Sequence, residues 1–274
     1  MLRKLLNSVR LLPTWLRRPS LSVIICSIDD RRFATVAANY AQRLGDWPYE
    51  LIRIDDARSL AEGYNRGIAR SSGELLIFSH DDIEILTPDF RDRLLGHMQS
   101  FDLIGVAGTS RLRNGRWVSA GQPDIHGQVV HRTIEGKGYT VYVFGPGSEA
   151  ARGGIQALDG LFIAARRSLA ESLRFDGQSF DGFHLYDIEF SYRAHLEGAR
   201  VGVCKDILLY HHSLGEVTDE WQHYMRIFQD KFGDRLATGP AGTGSLYLQK
   251  QVSTKAEALA LFQQHLRQQS IGAH

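Results

Sequence analysis

The sequence predicts an α/β fold: a Rossmann-like, mainly parallel sheet flanked by helices. Short continuous apolar runs alternate with stretches of helical periodicity, and acidic pairs follow three of those runs. The segment Leu21-Ser22-Val23-Ile24-Ile25-Cys26-Ser27 is one such run, as expected of a strand buried on both faces. Asp29 and Asp30 stand where an N-cap belongs, and the helix predicted from Arg31 to Leu44 sets Phe33, Val36, Ala37, Tyr40 and Leu44 on one side. Tyr49 to Ile54 is a second strand ending in Asp55-Asp56. Leu60 to Ala69 is a second helix, and Glu74 to Ser79 a third strand ending in His80-Asp81-Asp82. Pro88 opens another helix, and Leu103 to Ala107 reads as a fourth strand. Right-handed crossovers make such a sheet parallel, and ligands bind beyond the carboxyl ends of its strands. All three acidic pairs lie on that rim, which favours a cation-dependent site over N-capping alone.

Further on, Gly105 to Gly154 reads as an irregular, glycine-rich insertion that ligand would order, with a hairpin from Gln128–Ile134 and Tyr139–Phe144. Ala157 to Ala165 resumes a buried strand. Leu185–Leu196 is a helix, Arg200–Lys205 and Ile207–Tyr210 are strands, and Glu216–Phe232 is a helix. Gly239 to Gly244 is a linker before a last helix, Thr254–Gln268. The expected organisation is a basic amphipathic segment over 1–19, a main domain over 20–213 with halves at about 20–110 and 111–213, and a helical tail over 214–274.

With 43% hydrophobic and 23% charged residues, the composition is that of a soluble globular protein, and a net charge of +1 argues against nucleic acid as a partner. Cys26 and Cys204 read as buried, reduced thiols. No apolar stretch approaches the roughly 20 residues that span a bilayer. Leu2, Leu5, Leu6 and Val9 recur at helical spacing opposite Arg3, Lys4 and Arg10. Such a helix suits either an anionic membrane surface or a docking site on its own domain. Glycine-rich fingerprints for dinucleotides and P-loops are missing, as is a hydrolase elbow.

A carboxylate pinned at a strand end, as in His80-Asp81-Asp82, can hold Mg2+ or Mn2+ and so neutralise a diphosphate. Before it come Ala61-Glu62-Gly63-Tyr64-Asn65-Arg66-Gly67, then Gly73-Glu74 and the apolar strand. In combination these resemble family 2 glycosyltransferases of the A-type fold, in particular a bacterial branch with Ala-Glu-Gly-Tyr-Asn and a His-containing aspartate motif. The resemblance covers about Leu21 to Ser213. It implies that Ser27 and Asp55 hold the base and ribose, with Asp56 as a companion and Arg58, Asn65 and Arg66 on the nucleotide side. Asp82 would be the principal metal contact. His80 stands where the first aspartate usually stands, and Asp81 would reach the ribose or a metal-bound water. One of His211 and His212 would lie near the metal or diphosphate, and Asp159-Gly160 near the donor sugar and acceptor. Lys137 is a further candidate for the leaving diphosphate, and Trp117 either stacks on an acceptor sugar or anchors the insertion.

The stretch Phe180-Asp181-Gly182-Phe183-His184-Leu185-Tyr186-Asp187-Ile188-Glu189 resembles the family's Glu-Asp-x-Asp element. Asp187 takes the place of the base that deprotonates the acceptor hydroxyl, with Tyr186 where a glutamate is usual and Glu189 for the later aspartate. A helix start should keep Asp187 ionised. The implied activity is inverting transfer from a nucleotide-diphosphate sugar, a UDP-sugar first, to a saccharide or lipid-linked saccharide. The implied setting is bacterial surface-polysaccharide or glycolipid assembly at the cytoplasmic face of the membrane. Two rivals stand beside it: a non-catalytic nucleotide-sugar-binding module of the same fold, and a sugar-phosphate nucleotidyltransferase.

Overall fold

The computed structural model describes residues 19–215, 217–244 and 246–271. The amphipathic segment expected over 1–19 lies almost entirely outside the described residues. Strand β1 (Leu21–Cys26) is fully interior, as its apolar run requires, and pairs in parallel with β2 (Tyr49–Ile54) and β3 (Leu75–Ser79). Helix α1 (Asp30–Leu44) is capped by the Asp29 carboxylate, which accepts from the Arg31 and Arg32 amides. Helix α2 (Leu60–Arg70) begins at a capping-box spacing, Ser59 and Glu62. It rides close over β1 because Gly67 carries no side chain: a Cβ there would fall 2.2 Å from Ile24 Cγ2.

Beyond β3 the chain leaves this sheet. Residues His80 to Asp82 carry it into β4 (Ile83–Ile85), which belongs to a second sheet. Helix α3 (Phe90–Ser100) returns it to β5 (Leu103–Gly105), and Val106 passes it again to β6 (Ala107–Thr109). The glycine-rich region holds the expected hairpin, β7 (Ile125–Arg132) with β8 (Tyr139–Phe144), and is less irregular than expected around it, adding β9 (Ala151–Gly153). The β6–β7–β8 meander is antiparallel. The strand expected over Ala157–Ala165 is split. Its first part, β10 (Ala157–Leu158), lies in the second sheet and its last, β11 (Phe162–Arg166), in the first, with Asp159-Gly160-Leu161 crossing between them. Helix α4 (Arg167–Leu173) and helix α5 (Tyr186–Leu196) follow, then β12 (Val201–Cys204), β13 (Leu209–His211) and helix α6 (Asp219–Phe232).

The first sheet runs β2-β1-β3-β11-β5-β12-β9 and is mixed: β11 lies antiparallel between β3 and β5. The second runs β10-β6-β7-β13-β4, with β8 alongside β7. The tail adds a strand that the sequence did not announce, β14 (Leu248–Val252), paired with β8, before helix α7 (Lys255–Ile271). Ala258 and Phe262 of α7 close a small core with Leu86, Val130, Val141 and Leu208. Cys26 and Cys204 are free thiols, and among the described residues no helix is long and apolar enough to cross a membrane.

Candidate active site

The site lies on the seam where the chain changes sheets. Two crossings meet there, the His80 amide donating to the Leu161 carbonyl at 3.2 Å. On one side a cavity of about 420 Å3 opens beyond the carboxyl ends of β1–β3, lined by Ser27, Ile28, Arg32, Leu60, Asp81 and Asp82 among others. Ser27 is buried and its hydroxyl donates to Asp81 Oδ2 at 2.7 Å, so these two residues form one polar wall. Arg32 Nη1 stands 3.9 Å from Asp81 Oδ1 and supplies a cation that the sequence reading did not single out.

The other residues expected on the nucleotide side are placed differently. Asp55 is exposed between Ile54 and Ala57, which do line the cavity. Asp56 pairs with Arg66 at 2.8 Å, and Arg66 also meets Glu62, so this arginine is already neutralised. Arg58 points outward beside Glu62. Asn65 is a correction: its carboxamide donates to the Phe175 carbonyl and accepts from the Phe175 amide, which uses it to pin a loop rather than to face a nucleotide. Lys137 is exposed in the β7–β8 turn.

At the seam, His80, Asp82 and His211 bring one ligand atom each together. His80 Nδ1 lies 3.5 Å from His211 Nε2, His211 Nε2 3.3 Å from Asp82 Oδ1, and His80 Nδ1 3.9 Å from the same oxygen. A point equidistant from all three lies about 2.1 Å from each, the length of a first-row metal–imidazole bond. Burial would raise the Asp82 carboxyl, but hydrogen bonding and charge from His211, with the Ser213 side chain, outweigh it and hold the group well below the usual carboxylate range. Burial and the neighbouring His211 push His80 down, so it is a neutral imidazole at pH 7. Two imidazole nitrogens and a carboxylate oxygen at these separations form a donor set that fits a divalent ion. His212 does not join it. Its side chain is exposed, turned the other way by strand alternation, and only its backbone amide reaches the Asp82 carbonyl.

On the far side of His80 a second cavity of about 380 Å3 is lined by Trp117, His131, Phe144, Asp159, Asp187 and Trp221 among others. His80 and Phe183 line both cavities. Asp159 is held by two donors, the Leu161 amide at 3.1 Å and Trp117 Nε1 at 2.9 Å. Trp117, buried edge-on against Phe144, therefore anchors its segment and orients a carboxylate at once. The chain enters α5 through Leu185 at φ 58, a left-handed conformation that a leucine rarely adopts. Asp187 sits in the first turn with Gly160 against it; a Cβ on Gly160 would lie 2.7 Å from Asp187 Cβ and 2.4 Å from Tyr186 Oη. The helix dipole does not decide its charge. Burial first, then the Asp159 carboxylate, push the Asp187 carboxyl up to about 7 despite opposing backbone hydrogen bonds. Glu189 is fully buried and paired with Arg193 and Lys231, a structural role.

His131 is a second residue, after Arg32, that the sequence reading missed. Its Nδ1 lies 3.2 Å from the His211 carbonyl, and its ring centroid 5.4 Å from that of His211. A histidine inside the β-prone run Gln128–Ile134 was the available signal; that β7 pairs with β13 at this point was not readable locally.

A family profile described as "Glycosyltransferase like family" matches residues 22–232, from β1 to the end of α6. The chain therefore belongs to that glycosyltransferase-like family. No curated protein matches its sequence. Solved structures similar to it include a mannosyltransferase, PcManGT from Pyrobaculum calidifontis, in complex with GDP-Man and Mn2+, at 12% identity over 95% of this chain and 74% of that one, TM-score 0.49. Another is S. aureus TarS 1–349 in complex with UDP, at 13% identity over 89% of this chain and 70% of that one, TM-score 0.49.

Proposed function

We propose that this glycosyltransferase moves a sugar, with inversion, from a nucleotide-diphosphate donor to a hydroxyl acceptor. The observation that carries this reading is the position of the His80–Asp82–His211 cluster between two cavities that share His80 and Phe183. The nucleotide would occupy the cavity walled by Ser27 and Asp81, with Arg32 offering charge to its phosphates. A divalent ion held by Asp82, His211 and His80 would act as Lewis acid on the leaving diphosphate. The donor sugar would then project past Asp159 and Gly160 into the second cavity. There Asp187 takes the acceptor proton as the oxygen attacks the anomeric carbon from the face opposite the diphosphate. One base and one displacement invert the centre. Trp117, Phe183 and Trp221 give the acceptor cavity aromatic faces of the kind on which sugar rings stack.

A UDP-sugar donor, Mn2+ or Mg2+ as the ion, a saccharide or lipid-linked saccharide acceptor, and a role in surface-polysaccharide or glycolipid assembly at the cytoplasmic membrane face belong to the same reading and rest on the sequence. Calorimetric titration with a panel of nucleoside diphosphates, with and without Mn2+, tests it. Metal-dependent binding of one nucleotide, weakened in Asp82→Ala, is expected. Binding of a nucleotide sugar with no release of nucleoside diphosphate in the presence of any acceptor or water would favour a binding module instead.

A further inference from the structure

His80 and Tyr186 both depart from the pattern that the rest of the site resembles, and in the fold they touch. His80 Nε2 and Tyr186 Oη are 2.8 Å apart, although 106 positions separate them in sequence. The phenol is buried in a wall of rings, with Tyr64 at 5.7 Å and Phe175 at 6.2 Å between centroids, so it cannot turn away. Its own proton has an acceptor in the Gly160 carbonyl at 3.4 Å. With that proton on Gly160, the phenol oxygen can accept from His80 Nε2–H, the direction assigned below. An imidazole carrying its proton on Nε2 has a bare lone pair on Nδ1, the atom that faces Asp82 and His211. A ligating histidine ordinarily has its remote N–H held by such a partner, which fixes both tautomer and ring orientation.

Resting on the metal-dependent reading above, we propose that Tyr186 is a positioning residue that locks His80 in the Nδ1-ligating tautomer. The resulting two-nitrogen, one-carboxylate set selects a transition ion such as Mn2+ over Mg2+. The selectivity follows from the donors: imidazole suits first-row transition metals, whereas Mg2+ prefers carboxylate, carbonyl and water oxygens. Three protein ligands also displace water from the ion, and Mg2+ dehydrates reluctantly.

The test is direct binding of Mn2+ to the full chain, read from the electron paramagnetic resonance signal of free Mn2+, with Mg2+ added as competitor. In the wild-type protein Mn2+ should bind at one site and resist displacement by a large excess of Mg2+. Tyr186→Phe keeps the packed ring and removes only the hydroxyl; it should weaken Mn2+ binding by about 10- to 100-fold. His80→Asp should narrow or reverse the preference for Mn2+ and make binding indifferent to Tyr186→Phe in the double variant. Unchanged Mn2+ affinity in Tyr186→Phe, with cooperative thermal unfolding showing the variant folded, overturns the positioning role. Equal competition by Mg2+ overturns the selectivity. Failure of the wild-type protein to bind Mn2+ even with nucleoside diphosphate present would instead remove the metal from the proposed function, a separate result.

Discussion

Asp187 shows how a single side chain is tuned by what the fold sets against it. With its carboxyl pushed from the ordinary 3.8 to about 7, the proposed base is only half ionised at neutral pH. kcat/KM should therefore climb about tenfold per pH unit below about 7 and level off above it. Asp187→Asn should cut turnover by a factor on the order of 10^2–10^4 while nucleoside diphosphate affinity stays the same; near-normal turnover would remove Asp187 as base. The same shift has a stability consequence of determined sign. Between the unfolded value near 4 and the folded value near 7 the folded state binds more protons, so Asp187 makes stability fall as pH rises through that window. Above it, the full cost of an ionised, desolvated carboxylate is present, on the order of a few kcal/mol. The asparagine variant should thus melt higher than wild type at pH 8 and alike near pH 4. A melting temperature that does not separate with pH would mean that Asp187 titrates normally.

Among the elements, the crossing Asp159-Gly160-Leu161 and the first turn of α5 act as one piece, because Gly160 lets backbone and carboxylate approach. Gly160→Ala must drive Tyr186 and Asp187 aside; a displacement of about 1 Å at the base should lower kcat by roughly 10^2-fold. The overpacking should cost about 1–3 kcal/mol in denaturant unfolding. Helix α2 makes the contrasting case. Its Asn65 ties the Phe175 loop, so Asn65→Ala should destabilise by about 1–3 kcal/mol and leave calorimetric nucleotide affinity unaltered. Weakened nucleotide binding with unchanged stability would return Asn65 to the donor site.

Across the whole molecule, the second sheet and the tail support the cavity that Asp187 lines. Phe262 of α7 is buried against the strands that carry His131 and lead to His211, so Phe262→Ala should cost about 3–5 kcal/mol of unfolding free energy. A loss under about 1 kcal/mol would show the tail to be dispensable for folding. The sequence by itself determined the amino-terminal part of the fold: β1, α1, β2, α2 and β3 have periodicities, caps and lengths set by local physics, and their bounds emerged within a residue or so. It also marked Asp82, Asp159 and Asp187, whose neighbouring residues form recognisable short motifs. Tertiary structure decided the rest. Whether Ala157–Ala165 is one strand or two depends on a second sheet to receive its first half, and no window of nine residues contains that sheet. Which histidine joins Asp82 depends on the face β13 turns inward, and the charge on Asp187 depends on Asp159, brought beside it from 28 positions away. Local sequence fixes elements through short-range sterics and hydrogen bonds. Ligation and proton affinity arise from long-range packing, which only the assembled chain supplies.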